Sequence, residues 1–289
     1  MTFLPDCMTQ IEIAPGYPVL EIDHPAAMAR IALHGGHVMD WTPAGEKPVL
    51  YMSPDAVIEP GKPIRGGIPI CWPWFGPHPG DETKPAHGFV RTEMWGVEEV
   101  MSATDRVEVV LRLAGSEATQ KVWPHEFALQ LRISIGAQLE VAQVVRNPGA
   151  AAWTMTGALH TYFCVADATK AVIRGLHGTQ FVEGRLSPEK RWQNGPVKID
   201  QEVDRIYISD AAVEVEDVAG ARTLVIEKSG SRSTVVWNPW IEKSKRLSDL
   251  PDEAYPNFLC VETTNAGEDS LTIPPGGEHK LVSRVRVRR

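Results

Sequence analysis

The chain is short of the residues from which disulfide, zinc and nucleotide sites are made. Its 289 residues hold four cysteines, Cys7, Cys71, Cys164 and Cys260, spread along the sequence without a Cys-x-x-Cys pair. That spacing argues against a disulfide framework and gives no zinc signature, so the thiols are read as reduced and mostly buried. There is no Gly-x-Gly-x-x-Gly opening a strand–helix unit, no Walker loop, no Gly-x-Ser-x-Gly elbow, no His-Glu-x-x-His and no EF-hand loop. Chemistry that rests on a bound nucleotide, on zinc or on a serine nucleophile has no motif to support it. Asp, Glu and His are present, but their spacing marks no metal site, and neither a metal nor a cofactor is expected.

Long apolar runs are missing too. No stretch approaches the roughly 20 apolar residues of a membrane-spanning helix. Residues 1–7 have neither the basic start nor the apolar core of a secretory leader. The expectation is a cytoplasmic protein that does not enter membranes. A net charge of −8 argues against nucleic-acid binding, which needs a basic surface. It leaves room for an anionic small ligand, because a few local arginines suffice. No assembly motif is evident, so a monomer without an obligate protein partner is expected. A hydrophobic share of 43% and a charged share of 23% are those of an ordinary globular chain able to bury a large core.

Helical periodicity is scarce; short alternating or β-branched runs between turn residues are common. Residues 29–33, 106–113, 127–135, 138–146, 205–208, 223–228, 234–237 and 279–287 all read as strands. In Phe127-Ala-Leu-Gln-Leu-Arg-Ile-Ser-Ile every second residue is apolar, the mark of a half-buried antiparallel strand. Residues 138–146 read as its hairpin partner across a turn near Gly136. Many such strands with Gly/Pro punctuation predict an all-β antiparallel sandwich or a large barrel-like sheet. Residues 116–122 and 249–254 are the places for a short helical turn. With no repeat and no linker, residues 1–289 are read as a single domain. The tail, with Arg284, Arg286 and Arg289, reads as a closing edge strand whose charges discourage pairing with another chain.

Several segments carry chemistry-bearing residues. Arg65-Gly-Gly-Ile-Pro-Ile-Cys-Trp-Pro-Trp-Phe-Gly76 and His87-Gly-Phe-Val-Arg91 combine flat rings, Pro/Gly backbone and an arginine fork at each outer end. That is wall material for a small polar ligand bearing an anion, such as a phosphosugar. His87 is read as opening a strand, with a glycine beside it that allows close approach. His160, in Ala158-Leu-His-Thr-Tyr-Phe163, is either a hydrogen-bonded core residue or a proton carrier, since imidazole titrates near neutrality. Glu262, in Phe258-Leu-Cys-Val-Glu-Thr-Thr-Asn265, follows four apolar residues and is placed at the end of a buried strand. A carboxylate there is a structural ion pair or a functional base. Asp204 either caps a turn or takes part in a site. Trp240, in Trp237-Asn-Pro-Trp-Ile-Glu-Lys243, stacks on a sugar or covers a sheet end with Trp237. Lys243 meets an anion or belongs to a solvated face.

Together the segments at 65–76, 87–91, 158–163, 204–207, 237–243 and 258–265 resemble those of the hexose-6-phosphate mutarotases, within the aldose 1-epimerase superfamily. The resemblance spans most of the chain. It implies the galactose mutarotase-like antiparallel β-sandwich with a sugar groove, and interconversion of α and β anomers of a hexose 6-phosphate without a cofactor. By position it implies that His160 is the acid that protonates the ring oxygen. Glu262 is the base that takes the C1 hydroxyl proton. Asp204 binds sugar hydroxyls, His87 is a second active-site histidine, and Arg65 and Arg91 hold phosphate. Lys243 is a further phosphate neighbour. An aldose mutarotase acting on unphosphorylated sugars and a non-catalytic carbohydrate binder are the competing readings.

Overall fold

The computed structural model describes residues 4–184 and 189–289; the first three residues of the N-terminal stretch considered above lie outside them. In Ala128–Gly136 the alternation sets the faces: Leu129, Leu131, Ile133 and Ile135 are buried while Arg132 between them is exposed. Gln138–Arg146 pairs with it antiparallel across the turn, Ile135 facing Leu139. The same logic repeats along the chain and yields two eight-stranded antiparallel sheets.

The first sheet runs in the order Val172–Arg174, Val213–Asp217, Arg222–Ser229, Glu278–Arg288, Gln138–Arg146, Ala128–Gly136, Arg106–Ala114, Gly96–Ser102. The second runs Lys190–Trp192, Gln180–Glu183, Val203–Ile208, Ser233–Asn238, Phe258–Asn265, Gly157–Leu159, Ile70–Cys71, and Tyr162–Cys164 also pairs with Phe258–Asn265. A four-stranded meander covers Met8–Glu12 to His37–Pro43, and Trp153–Met155 pairs with Leu271–Ile273. The α-helices among the described residues are short: Glu117–Val122, capped by Ser116, and Trp240–Ser244. The fold is thus the all-β antiparallel sandwich, one of the two arrangements that the periodicity allows and the one that the resemblance implies.

One apolar cluster runs between the sheets, with Leu131, Ile133, Leu281 and Val285 from the first and Val236, Leu259 and Val261 from the second. Each such side chain stabilises the fold by roughly 1.5–3 kcal/mol through burial. Phe258–Asn265 is buried on both faces, because Phe258 and Cys260 join a second cluster with Tyr162 and Trp237 on the far side. Double burial explains why its sequence is a nearly continuous apolar run rather than an alternating one.

Four expectations need correction. The tail is an interior strand, paired with Arg222–Ser229 on one side and Gln138–Arg146 on the other. Its arginines are tolerated there because acidic groups answer them: Arg284 meets Glu140 at 2.5 Å and Arg288 meets Glu214 at 2.7 Å. Glu262 lies within Phe258–Asn265 rather than at its end, opposite Val235 of the neighbouring strand. His87 opens no strand; it sits in a turn with φ +67°, followed by Gly88 at φ +70° and a 3₁₀ turn over Val90–Thr92. Finally, the rings at 72 and 74 are not a ligand wall. Trp72 is fully buried among Trp123, Phe127 and Trp153, and Trp74 is tucked against His78 and Phe89. Only Phe75 is part-exposed, with its ring 5.0 Å from His87. The two tryptophans anchor the loop from inside, each aromatic pair adding roughly 0.5–1.5 kcal/mol beyond area burial.

Candidate active site

Register brings the chemistry together. Residues directly opposite one another in antiparallel strands point to the same face. Asp204, Trp237, Cys260 and Tyr162 are successive partners across four strands. The adjoining row is Val182, Ile206, Val235 and Glu262. These rows form the face turned away from the main core. His160 enters it from the short break between Gly157–Leu159 and Tyr162–Cys164, where its backbone N–H donates to the Pro69 carbonyl at 3.0 Å.

His160 Nε2 lies 3.3 Å from Glu262 Oε1, with the two side chains 9% and 1% exposed. The imidazole is enclosed by rings. Tyr162 stacks on it at 4.9 Å with an interplanar angle of 13°, while His87 at 5.7 Å and Trp237 at 6.1 Å approach edge-on. Burial pushes the Tyr162 phenol above its usual range although Arg65 pulls the other way, so Tyr162 is a neutral ring here. Burial, and then the charge of Glu262, push the Cys260 thiol well up, which makes it an inert part of the floor.

Glycine geometry delivers the two histidine-side loops. A Cβ on Gly88 would fall 1.9 Å from the Trp72 carbonyl oxygen, and one on Gly67 2.3 Å from that of Val38. Only glycine permits these approaches at positive φ. Gly67 follows Arg65 closely, and Gly88 follows His87, so both side chains are set by backbone that has no room to move. The loop between Gly76 and His87 is closed by a hydrogen bond from His87 N–H to the Gly76 carbonyl at 2.7 Å, and Trp74 Nε1–H donates to the Pro85 carbonyl at 2.9 Å.

The sequence-predicted residues fall into three groups. His160, Glu262 and His87 meet directly. Asp204 and Lys243 gather at the next part of the same face: Lys243 Nζ is 2.7 Å from Glu202, 3.7 Å from Asp204 and 5.9 Å from the Trp237 ring centre. Arg65 reaches the histidine through Tyr162, donating to its hydroxyl at 2.9 Å, while its Nε and Nη2 lie 3.1 Å from Asp249. Arg91 donates to the Ala86 carbonyl at 2.8 Å, beside His87. Trp240 stands apart from this chain of contacts: it packs on Tyr255 at 5.0 Å and on the main core. The ring beside His160 is Trp237, which sequence reasoning treated only as a cover. Tyr162 and Asp249 were missed; a tyrosine two residues from His160 was a usable signal for the first, but nothing local marks the second.

A carboxylate and an imidazole so placed can take a proton from one oxygen of a ligand and give one to another. Among the described residues no group of three or more His, Cys, Asp or Glu is arranged to hold a metal ion, and no helix is long and apolar enough to cross a membrane.

Known proteins resemble this chain in sequence and in fold. The model of the aldose 1-epimerase family matches residues 18–286. A protein of Escherichia coli strain K12 with the provisional name glucose-6-phosphate 1-epimerase is 35% identical over 272 residues, 93% of this chain and 90% of that one. One from Cenchrus ciliaris with the same provisional name is 34% identical over 261 residues, 86% of this chain and 78% of that one. The crystal structure of YeaD from Salmonella typhimurium, provisionally described as a mutarotase, matches with a TM-score of 0.93 at 30% identity, covering 100% of this chain and 96% of that one. The chain belongs to the aldose 1-epimerase family.

Proposed function

We propose that this protein interconverts the α and β anomers of a hexose 6-phosphate, with glucose 6-phosphate as the first substrate to test. The observation that carries the reading is the His160–Glu262 pair at 3.3 Å on a sheet face that also gathers arginine, lysine and aspartate side chains. Glu262, as carboxylate, takes the C1 hydroxyl proton while His160, as imidazolium, gives a proton to the ring oxygen. The bond between C1 and the ring oxygen breaks, and an open-chain aldehyde forms. Rotation about C1–C2 presents the other carbonyl face. The hydroxyl then returns its proton to His160 as it attacks C1, and Glu262 returns its proton to the carbonyl oxygen. Both groups end as they began, so the step consumes no co-reactant.

Asp204 and His87 bind sugar hydroxyls in this reading, and Trp237 supplies the flat face that sequence reasoning gave to Trp240. Arg91 and the uncommitted N–H groups of Arg65 hold the phosphate, with Lys243 nearby; an arginine fork suits a phosphate's oxygens. The provisional names of the E. coli and Cenchrus relatives support glucose 6-phosphate as the substrate. Four cysteines spread along the chain without a Cys-x-x-Cys pair suit a reducing compartment.

Saturation-transfer NMR of anomer exchange tests the reading, with glucose 6-phosphate and free glucose side by side. Exchange accelerated for the phosphosugar alone is the expected result. Equal acceleration of both moves the protein to general aldose mutarotation, and none for either sugar leaves only a binding role.

A further inference from the structure

Neither the resemblance nor the comparisons assign a task to Tyr162. It is 2% exposed, its ring lies face to face with the His160 imidazole at 4.9 Å and 13°, and its hydroxyl accepts a hydrogen bond from Arg65 at 2.9 Å. Arg65 is in turn held by Asp249, its Nε and Nη2 each 3.1 Å from the carboxylate. On the side away from His160 the tyrosine ring is packed by Phe258 at 5.4 Å, and Trp237 meets it edge-on at 6.0 Å.

We propose that Tyr162 is a positioning residue, an aromatic platform packed by Phe258 and Trp237 that fixes the plane of the His160 imidazole so that Nε2 faces Glu262. The physical need is specific. His160 sits where the sheet is interrupted, outside the regular strands on either side, so strand packing alone does not set the rotation of its ring. A stacked ring underneath and two rings edge-on do so. An imidazolium also gains from an aromatic face beneath it. An acid that must meet a sugar ring oxygen needs its N–H direction held closely, and misplacement by about 1 Å costs on the order of a hundredfold in rate.

The kinetic arm of the test rests on the mutarotase reading; the spectroscopic arm does not. In the unmodified protein, the His160 ring-proton resonance, assigned by its loss in His160→Gln, should lie upfield through the Tyr162 ring current. The displacement should persist in Tyr162→Phe. A His160 resonance at the position of an unstacked histidine overturns the proposal without any further variant. With glucose 6-phosphate, Tyr162→Phe should keep kcat within about threefold, because the stacking face remains. Tyr162→Leu should lower kcat by about ten- to a hundredfold with KM changed less than about threefold. A folded Leu variant with wild-type kcat, or a Phe variant as impaired as Leu, overturns the platform role; the second result would assign the work to the hydroxyl. If no variant and no wild type turns over sugar, the functional reading fails while the ring-current result still decides the platform.

Discussion

Glu262 is 1% exposed, and a carboxylate so deeply placed is costly unless a partner shares its charge or its proton. His160 is that partner, and the pair lies on the sheet face turned away from the main core, beside Tyr162 and Trp237. Glu262→Gln keeps shape and hydrogen-bonding capacity but cannot take a proton. It should fold normally by circular dichroism and lower turnover by about 10²–10⁴; wild-type turnover in the folded variant would sink the base assignment. At the arginines the expectation is selective. Arg91→Ala should weaken hexose 6-phosphate by about 1.5–3 kcal/mol through the lost charge-assisted contact and leave free hexose nearly unchanged. Inhibition constants for the two sugars, compared side by side, check this; equal weakening removes the phosphate role.

At the scale of elements, the turns beside the histidine–glutamate pair are set by backbone contact. Gly88 at φ +70° would place a Cβ 1.9 Å from the Trp72 carbonyl oxygen, whereas Gly45 at φ +75° has nothing within 4 Å. Gly45→Ala should therefore cost only the left-handed backbone penalty of roughly 1–2 kcal/mol. Gly88→Ala must also move the Trp72 segment or the His87 turn, and should cost about 3 kcal/mol or more. Urea midpoints of the two variants make the comparison, and similar losses would refute the crowding argument. The interior position of Glu278–Arg288 belongs to this scale too. Local sequence shows an alternating strand rich in arginine, and both an edge and an interior position satisfy that pattern. The choice is made by Glu140 and Glu227 on the two adjacent strands and Glu214 one strand further on, which are far away in sequence.

At the scale of the molecule, His37 ties the meander to the Arg65 loop. Burial lowers its pKa to about 3, a hydrogen bond to Gly66 opposes that, and the charges of His34 and Arg91 add to it. Unfolded, it takes a proton near its ordinary 6.5; folded, it resists until about 3. The unfolded state thus binds more protons in that window, and stability is full above pH 6.5 and falls towards pH 3. His37→Phe should show a shallower loss between those limits, relative to its own value at neutral pH, in urea titrations across pH. An identical slope would show that His37 does not contribute. Because one apolar cluster runs between both sheets and into the N-terminal meander, we also propose that residues 1–289 unfold as one domain. Tryptophan fluorescence and far-ultraviolet circular dichroism should then give coincident denaturation curves, and separated curves would argue for two units.

Period-two alternation made the strands at 106–113, 127–135 and 138–146 readable, because side-chain direction along a strand is a local property. Local residue types point only to a small-ligand site, and the roles expected of His160, Glu262, His87, Arg65, Arg91, Asp204 and Lys243 come from the resemblance to the hexose-6-phosphate mutarotases. The rest was decided only by tertiary structure. Whether Trp237 or Trp240 lies beside the histidine, and that Trp72 and Trp74 turn inward while Phe75 remains part-exposed, follow from strand register and from which face of a loop meets the core. The Asp249–Arg65–Tyr162–His160 contacts join three separate segments, and no local pattern records the contacts of Arg65 with Asp249 and Tyr162. Local sequence determines which way a strand residue can point and what it can do chemically; pairing across the sheets determines what it points at.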